Sequence, residues 1–380
     1  MSVDKLKKIV LGVTAFSLFL MSGTALADYM NVLNLTEGVT PTSKMVYGLH
    51  MLILYIVTAI GVVVFGVMCW SIYYHRKSKG HVAEQFHHST AAEIAWTAIP
   101  ILILVLMAIP ATKALVFMEQ TGDAEMTLKV TGLQWKWKYD YLDEGISFVS
   151  SLSQDSNEAR QLGSGIDPST VENYLMDVDN YVVLPTKTKI RILTTAADVI
   201  HGWWVPALGW KRDAIPGYIN DNWTYIEEPG IYRGNCAELC GRDHAFMPIV
   251  INAVPKADYA VWVEEQKATQ LALAEGANKE WTKDELLAKG AEVYTTNCVS
   301  CHMAEGQGVE GLFPSLDGSA IVNGPTSDMI MLILNGKNMM PAWKDLLNDT
   351  DIGAVMTYTR NSWGNTVKDT VQPADVKAKR

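Results

Sequence analysis

Two short stretches of the chain carry residue types that can hold metals. In Cys236-Ala-Glu238-Leu-Cys240-Gly-Arg-Asp-His244-Ala-Phe-Met247, two thiols, an imidazole and a thioether fall within twelve residues, and His201 lies upstream in Asp198-Val-Ile-His201-Gly-Trp-Trp. Thiolate and thioether sulfur favour copper, above all Cu(I), while imidazole keeps Cu(II) acceptable, so the mixture suits a site that cycles between the two states. One cysteine, two histidines and a methionine would make a mononuclear site; the second cysteine argues for two coppers bridged by both sulfurs. Other readings stay open. Cys236 and Cys240 could join as a disulfide if the backbone bends suitably, although the histidines and Met247 would then have no task. Zinc fits less well, because a thioether is a poor zinc ligand. His201 alone could be an interior histidine.

The second stretch is Cys298-Val-Ser-Cys301-His302, a C-x-x-C-H pattern: two thiols able to add across haem vinyl groups and an adjacent imidazole for the iron. A thioredoxin-like redox pair also uses C-x-x-C, but it needs a βαβ context that this region lacks. Downstream, Met339-Met340-Pro341-Ala-Trp343 can supply a thioether to complete a His/Met site. Met340, directly before the proline, is the expected ligand, with Met339 the alternative.

These residues need a frame, and the pattern along the 380 residues suggests one in several parts. Ile9 to Met21 is apolar behind Lys5, Lys7 and Lys8 and runs to Ala25-Leu26-Ala27, the layout of a secretory signal over residues 1–27. Met45 to Tyr74 and Ile94 to Thr112 contain no charged residue, and each is long enough to cross a bilayer. Pro100 and Pro110 in the second are tolerable in a membrane helix. Arg76, Lys77 and Lys79 between them favour a cytoplasmic loop, leaving both ends of a two-helix hairpin, within residues 28–120, facing outward. Cys69, within the first span, reads as a small apolar residue.

From about Thr127 the pattern shortens and alternates as in an all-β sandwich, expected over residues 121–255. Gln134 to Tyr141 reads as a strand with Trp135, Trp137, Tyr139 and Tyr141 on one face and Lys136, Lys138 and Asp140 on the other. Ser150 to Pro168 reads as a long surface loop. Residues 256–280, rich in Ala, Glu, Gln and Lys, suit a helical linker. Thr282-Lys-Asp-Glu285 is a capping box opening a helix that leads into Cys298, in an all-α domain expected over residues 281–365. The tail, residues 366–380, reads as loosely ordered. A net charge of -10 argues against nucleic acid as a partner.

Residues Gln134–Tyr141, Val178–Pro185, Asp198–Trp203, Asp213–Gly217 and Gly234–Val250 together resemble the cupredoxin domain of cytochrome c oxidase subunit II, and with the hairpin the similarity covers roughly residues 30 to 260. The resemblance implies that His201, Cys236, Glu238 through its carbonyl, Cys240, His244 and Met247 hold the dinuclear copper A. It also implies that the Glu238 carboxylate faces a magnesium ion at the subunit I contact, that Trp135 is where electrons reach copper, and that Glu93 lies at the mouth of a proton path. The C-terminal domain resembles a class I cytochrome c with covalent haem c on Cys298, Cys301, His302 and Met340, with Gly290 and Tyr294 crossing Tyr358. Its position after the copper domain is similar to the fused subunit II of caa3-type haem–copper oxidases. Implied partners are oxidase subunits I and III, and a cytochrome c or a quinol–cytochrome c oxidoreducing complex as donor. The implied location is a bacterial inner membrane, with the C-terminal domains in the periplasm.

Two other classes are open. One is a membrane-anchored electron carrier serving no oxygen reductase. The other is nitrous oxide reductase, whose catalytic cluster needs more histidines than His50, His75, His81, His87 and His88 can arrange.

Overall fold

The computed structural model describes residues 34–380 except 83, 84, 86, 162 and 345, so the expected signal at 1–27 lies outside the described residues. One unit contains two long helices, α1 (Pro41–Tyr74) and α2 (Thr90–Met118), of 34 and 29 residues. At 1.5 Å rise per residue each exceeds the roughly 30 Å of bilayer hydrocarbon. Both run beyond the apolar stretches that announce them. Thr40 and Ser43 close the start of α1 as a capping box, each side chain accepting from the other's amide, at 2.9 and 3.0 Å. Pro100 and Pro110 lie inside α2 without ending it. Large apolar side chains such as Val62 and Phe65 stand exposed along the helices. Such a surface is costly in water and neutral in lipid.

The second unit holds the remaining elements. Ten strands make two five-stranded sheets. The first has the order β3 (Ile146–Ser150), β2 (Lys136–Tyr141), β1 (Met126–Leu133), β5 (Ile190–Ala196), β8 (Asn220–Thr224); the second has β4 (Val182–Pro185), β10 (Pro248–Val254), β9 (Gly230–Cys236), β6 (His201–Val205), β7 (Trp210–Ala214). Alternation explains the inner faces: Leu128 and Val130 of β1 and Ile190 and Ile192 of β5 are buried, with half-buried residues between them. Trp203, Val205, Ile249 and Ile251 of the second sheet are buried likewise. The result is the expected cupredoxin-like sandwich.

Three local departures have physical causes. Gln134 and Trp135 form the turn between the antiparallel β1 and β2, so Trp135 stands at a hairpin tip and is not part of the buried aromatic row. Trp137, Tyr139 and Tyr141 do form that row. Lys136, expected on the solvent face, is buried, because another part of the chain covers it. The expected loop after Ser150 contains a short helix, α3 (Gln154–Ala159), which turns Ser156 and Ala159 inward.

The linker is α4 (Lys256–Gly276), and its first half packs on the sandwich: Tyr259 and Val263 are buried, and the Trp262 ring lies 5.1 Å from that of Tyr141. Beyond it, Thr282 and Glu285 form the expected capping box of α5 (Lys283–Asn297), the carboxylate accepting from the Thr282 amide at 2.8 Å. Next come α6 (Val299–His302), α7 (Thr326–Asn335), α8 (Asp349–Asn361) and α9 (Pro373–Lys377). α7 turns Met329, Ile330, Ile333 and Leu334 inward at helical spacing.

The tail departs from expectation. Buried Arg360 forms a two-armed ion pair with Asp369, at 2.7 Å on each arm, and donates to the Val322 and Gly324 carbonyls. Val371 and Val376 then enter the helical core. A buried guanidinium must be paired, and this one ties the tail down.

α5 crosses α8 at Gly290, as the resemblance to a class I cytochrome c implies, and the Tyr294 and Tyr358 rings lie 5.5 Å apart. A Cβ on residue 290 would fall 2.2 Å from the Ala354 carbonyl oxygen. Helix propensity favours Gly290→Ala by about 1 kcal/mol. Overpacking against a fixed backbone atom costs about 1–3 kcal/mol, so steric repulsion sets the sign. Thermal unfolding should show a lower melting temperature for the C-terminal domain; an unchanged or raised value would show that the crossing is looser than described.

Candidate copper and haem sites

His201 begins β6, Cys236 ends β9, and the pairing of Trp203 with Cys236 brings these strand ends side by side. The connection from β9 to β10 carries Cys240 and His244, and Met247 comes directly before β10. The Cys236 and Cys240 sulfurs lie 3.8 Å apart and both thiols are free. His201 Nδ1 lies 3.9 Å from Cys236 Sγ; His244 Nδ1 and Met247 Sδ each lie 3.5 Å from Cys240 Sγ. The Glu238 carbonyl oxygen lies 3.3 Å from Cys236 Sγ. All six side chains or carbonyls singled out for copper thus converge. The mix of two sulfurs bridging toward two imidazoles, a thioether and a carbonyl fits a pair of coppers.

The surroundings hold these groups in place. Gly132 makes room for His201, since a Cβ there would sit 2.7 Å from the imidazole ring. The Trp137 indole N–H donates to the Met247 carbonyl at 3.2 Å. Asp198, quoted in the sequence motif but given no role there, accepts from His201 Nε2 at 2.9 Å and from the Gln134 amide at 2.7 Å. That bond turns Nδ1 toward the sulfurs, as a carboxylate behind a ligating histidine does. The D-x-x-H spacing was the available signal.

Protonation follows from the geometry. Hydrogen bonding from the Cys240 thiol, then from His201, holds Cys236 far below the ordinary thiol range, while Cys240, beside that thiolate, is driven far above it. Burial pulls the His201 imidazole down, but Asp198 and Cys236 more than offset this and raise it. A cation bound between the two sulfurs would favour the thiolate form of both.

In the C-terminal domain, Cys298, Cys301 and His302 lie on and just before α6. The His302 Nδ1 faces the Pro314 carbonyl at 2.9 Å, which leaves Nε2 for a metal. Burial lowers the His302 pKa and raises those of Cys298, to about 12, and Cys301. His302 and Met340 both line a cavity of about 470 Å³ with Cys298, Cys301, Leu332 and Trp343, and an adjoining one of about 130 Å³ walled by Leu316, Met329 and Ile333. Such an apolar hollow with a histidine and a methionine suits a porphyrin. Met339 is 59% exposed, so Met340 is the better-placed thioether.

Trp135 is half-buried, and its indole N–H donates to the Cys240 carbonyl at 3.2 Å. It lines a small cavity together with Ser300, which lies between the two cysteines of the C-x-x-C pair. Glu93 is exposed in the first turn of α2. Glu238 is half-buried between Cys236 and Cys240 in the chain.

Residues 126–254 match the family described as cytochrome c oxidase subunit II, periplasmic domain; residues 28–114 match its transmembrane domain; and residues 285–358 match cytochrome c oxidase, cbb3-type, subunit III. The chain is 40% identical over 233 residues to a probable cytochrome c oxidase subunit 2 of Rickettsia prowazekii, covering 61% of this chain and 71% of that one. It is 38% identical over 255 residues to the corresponding protein of Rickettsia bellii, covering 67% and 90%. The solved periplasmic domain of subunit II of cytochrome oxidase from Bradyrhizobium japonicum is 40% identical, with 40% of this chain and 99% of that one covered and a TM-score of 0.35. This chain belongs to the cytochrome c oxidase subunit II family and bears a C-terminal cytochrome c domain.

Proposed function

We propose that the chain takes electrons into its C-terminal domain, passes them across Trp135 to the copper loop, and delivers them to subunit I, where dioxygen is reduced to water. The observation that carries this reading is the convergence of buried Cys236, Cys240, His201 and Met247 with half-buried His244 in one cluster, joined to Trp135 through the Cys240 carbonyl. A copper pair and a covalent haem c, when bound, would each supply a one-electron store whose geometry changes little on reduction. The protein's part is to hold and insulate them. Cys298 and Cys301 would anchor the haem covalently, and His302 and Met340 would supply an imidazole and a thioether to its iron. The sandwich keeps water from the sulfurs: Cys236, Cys240 and Met247 are all buried.

The finer assignments follow the same reading. The Glu238 carboxylate, next to its ligating carbonyl, would hold magnesium at the subunit I contact, as an oxygen donor suits that ion. Glu93, at the start of α2, would sit at a proton path. The donor would be a cytochrome c or a quinol–cytochrome c oxidoreducing complex, subunits I and III the partners, and the inner membrane of a bacterium the location. Domain limits would follow the elements, with the copper domain ending near 255 and the cytochrome domain beginning near 281.

Two substitutions test the relay. Trp135→Ala should keep both cofactor spectra while slowing transfer from haem to copper at least about tenfold, equivalent to about 1.4 kcal/mol of barrier. An unchanged rate in stopped-flow would remove Trp135 from the route. Met340→Leu should lower the haem reduction potential by on the order of 100 mV, because a thioether raises it. Met339→Leu should not. The reverse pattern in a redox titration would transfer the ligand role to Met339.

A further inference from the structure

Three polar groups of the copper domain reach across to one short run of the cytochrome domain. Lys136 Nζ donates to Asn297 Oδ1 at 2.7 Å, with the ammonium 4.7 Å from the centre of the Trp343 ring. Asn157, on the unexpected helix α3, donates to the Thr295 carbonyl at 3.3 Å. Arg242, in the copper loop between Cys240 and His244, donates to the Ser300 carbonyl. The acceptors at 295, 297 and 300 bracket Cys298 and all lie within six residues. Nothing in the relay described above uses Lys136, Asn157 or Arg242.

The donors are themselves held. Arg242 Nε pairs with the buried Asp243 at 3.2 Å, and Asp243 pairs at 3.2 Å with Arg160, which stacks on Phe246 and bonds the Asn157 side chain at 2.8 Å. One network therefore runs from the copper loop through α3 to the end of α5. Lys136 is only 5% exposed, and an ammonium is seldom buried without dedicated partners. Asn297 and Trp343 supply a hydrogen bond and an aromatic face, both from the cytochrome domain. Burial lowers its pKa to about 8, against a smaller pull upward from Asp179.

We propose that Lys136, Asn157 and Arg242 are positioning residues that grip the haem-attachment segment, residues 295–300, and fix it against Trp135, with Lys136 and Asn297 as the central pair. The tether alone keeps the cytochrome domain nearby; the grip selects one orientation. This inference rests on the relay reading for its kinetic consequence, but the docking itself is measurable without it.

A double-mutant cycle on the full chain loaded with copper and haem separates a specific pair from general loosening. Lys136→Ala and Asn297→Ala should each leave both cofactor spectra intact, enlarge the scattering radius of the detergent-solubilised protein, and slow haem-to-copper transfer at least about tenfold. The double variant should be no slower than the slower single one. Arg242→Gln, outside the central pair, should add to the loss from either. The proposal is overturned if Lys136→Ala keeps both the radius and the rate within about twofold, or if the Lys136 and Asn297 losses simply multiply. Should Lys136→Ala not accumulate as folded protein, Asn297→Ala decides by the same two readouts. If the unaltered chain transfers no electrons while the variants still enlarge the radius, the relay reading fails and the docking stands.

Discussion

Two sulfur atoms held 3.8 Å apart inside a β-sandwich cannot both lose their protons unless positive charge lies between them. That constraint organises the centre of this protein. The hydrogen bond between the two sulfurs lowers the Cys236 pKa and raises that of Cys240, with burial and the neighbouring negative charge adding to the rise. Two metal cations in the cluster would satisfy both thiolates at once, with His201, His244 and Met247 as the ligands proposed to complete the shell. The sandwich provides the rigidity this needs. β6 and β9 are paired neighbours, β10 closes the loop, and Asp198 fixes the orientation of His201. A loose loop could not keep like-charged ligands together, so the copper chemistry depends on the packing of the sheets behind it.

Much of this was legible in the sequence because ligand chemistry is local. The spacing of Cys236, Cys240, His244 and Met247 points to copper, and C-x-x-C-H points to haem. The apolar runs of α1 and α2 and the Thr282 capping box were equally plain. Even the crossing at Gly290 could be anticipated. What escaped depends on contacts between distant segments. Lys136 alternates with buried aromatics and reads as solvent-facing; it is buried only because Asn297 and Trp343 cover it. Trp135 looks like a member of the aromatic row, but a two-residue turn before β2 displaces it to the tip of a hairpin. The tail carries no strong pattern of its own, and its order comes from the pairing of Arg360 with Asp369. The helix α3 was hidden in a stretch rich in turn-forming residues, and its significance lies in Asn157, which reaches the end of α5.

The two halves of the soluble portion are linked by more than a chain. α4 lays Tyr259, Trp262 and Val263 on the sandwich, so the tether is anchored at its start. The contacts of Lys136, Asn157 and Arg242 then engage the segment around Cys298. Fusion of a cytochrome c domain to subunit II raises local concentration, which sets how often the partners meet. Orientation sets whether a meeting is productive, and it must be encoded in side chains. Here Arg242 belongs to the copper loop and Lys136 to the first hairpin, the elements that carry Cys240 and Trp135, while Asn157 comes from α3.

The most direct test of the central claim is metal analysis together with electron paramagnetic resonance of the full chain, matured in a host able to supply copper and attach haem. The account predicts two coppers and one haem per chain, with the unpaired electron of the oxidised protein split by two equivalent copper nuclei. A single copper, zinc in its place, or mass-spectrometric evidence that Cys236 and Cys240 are joined to each other would contradict it.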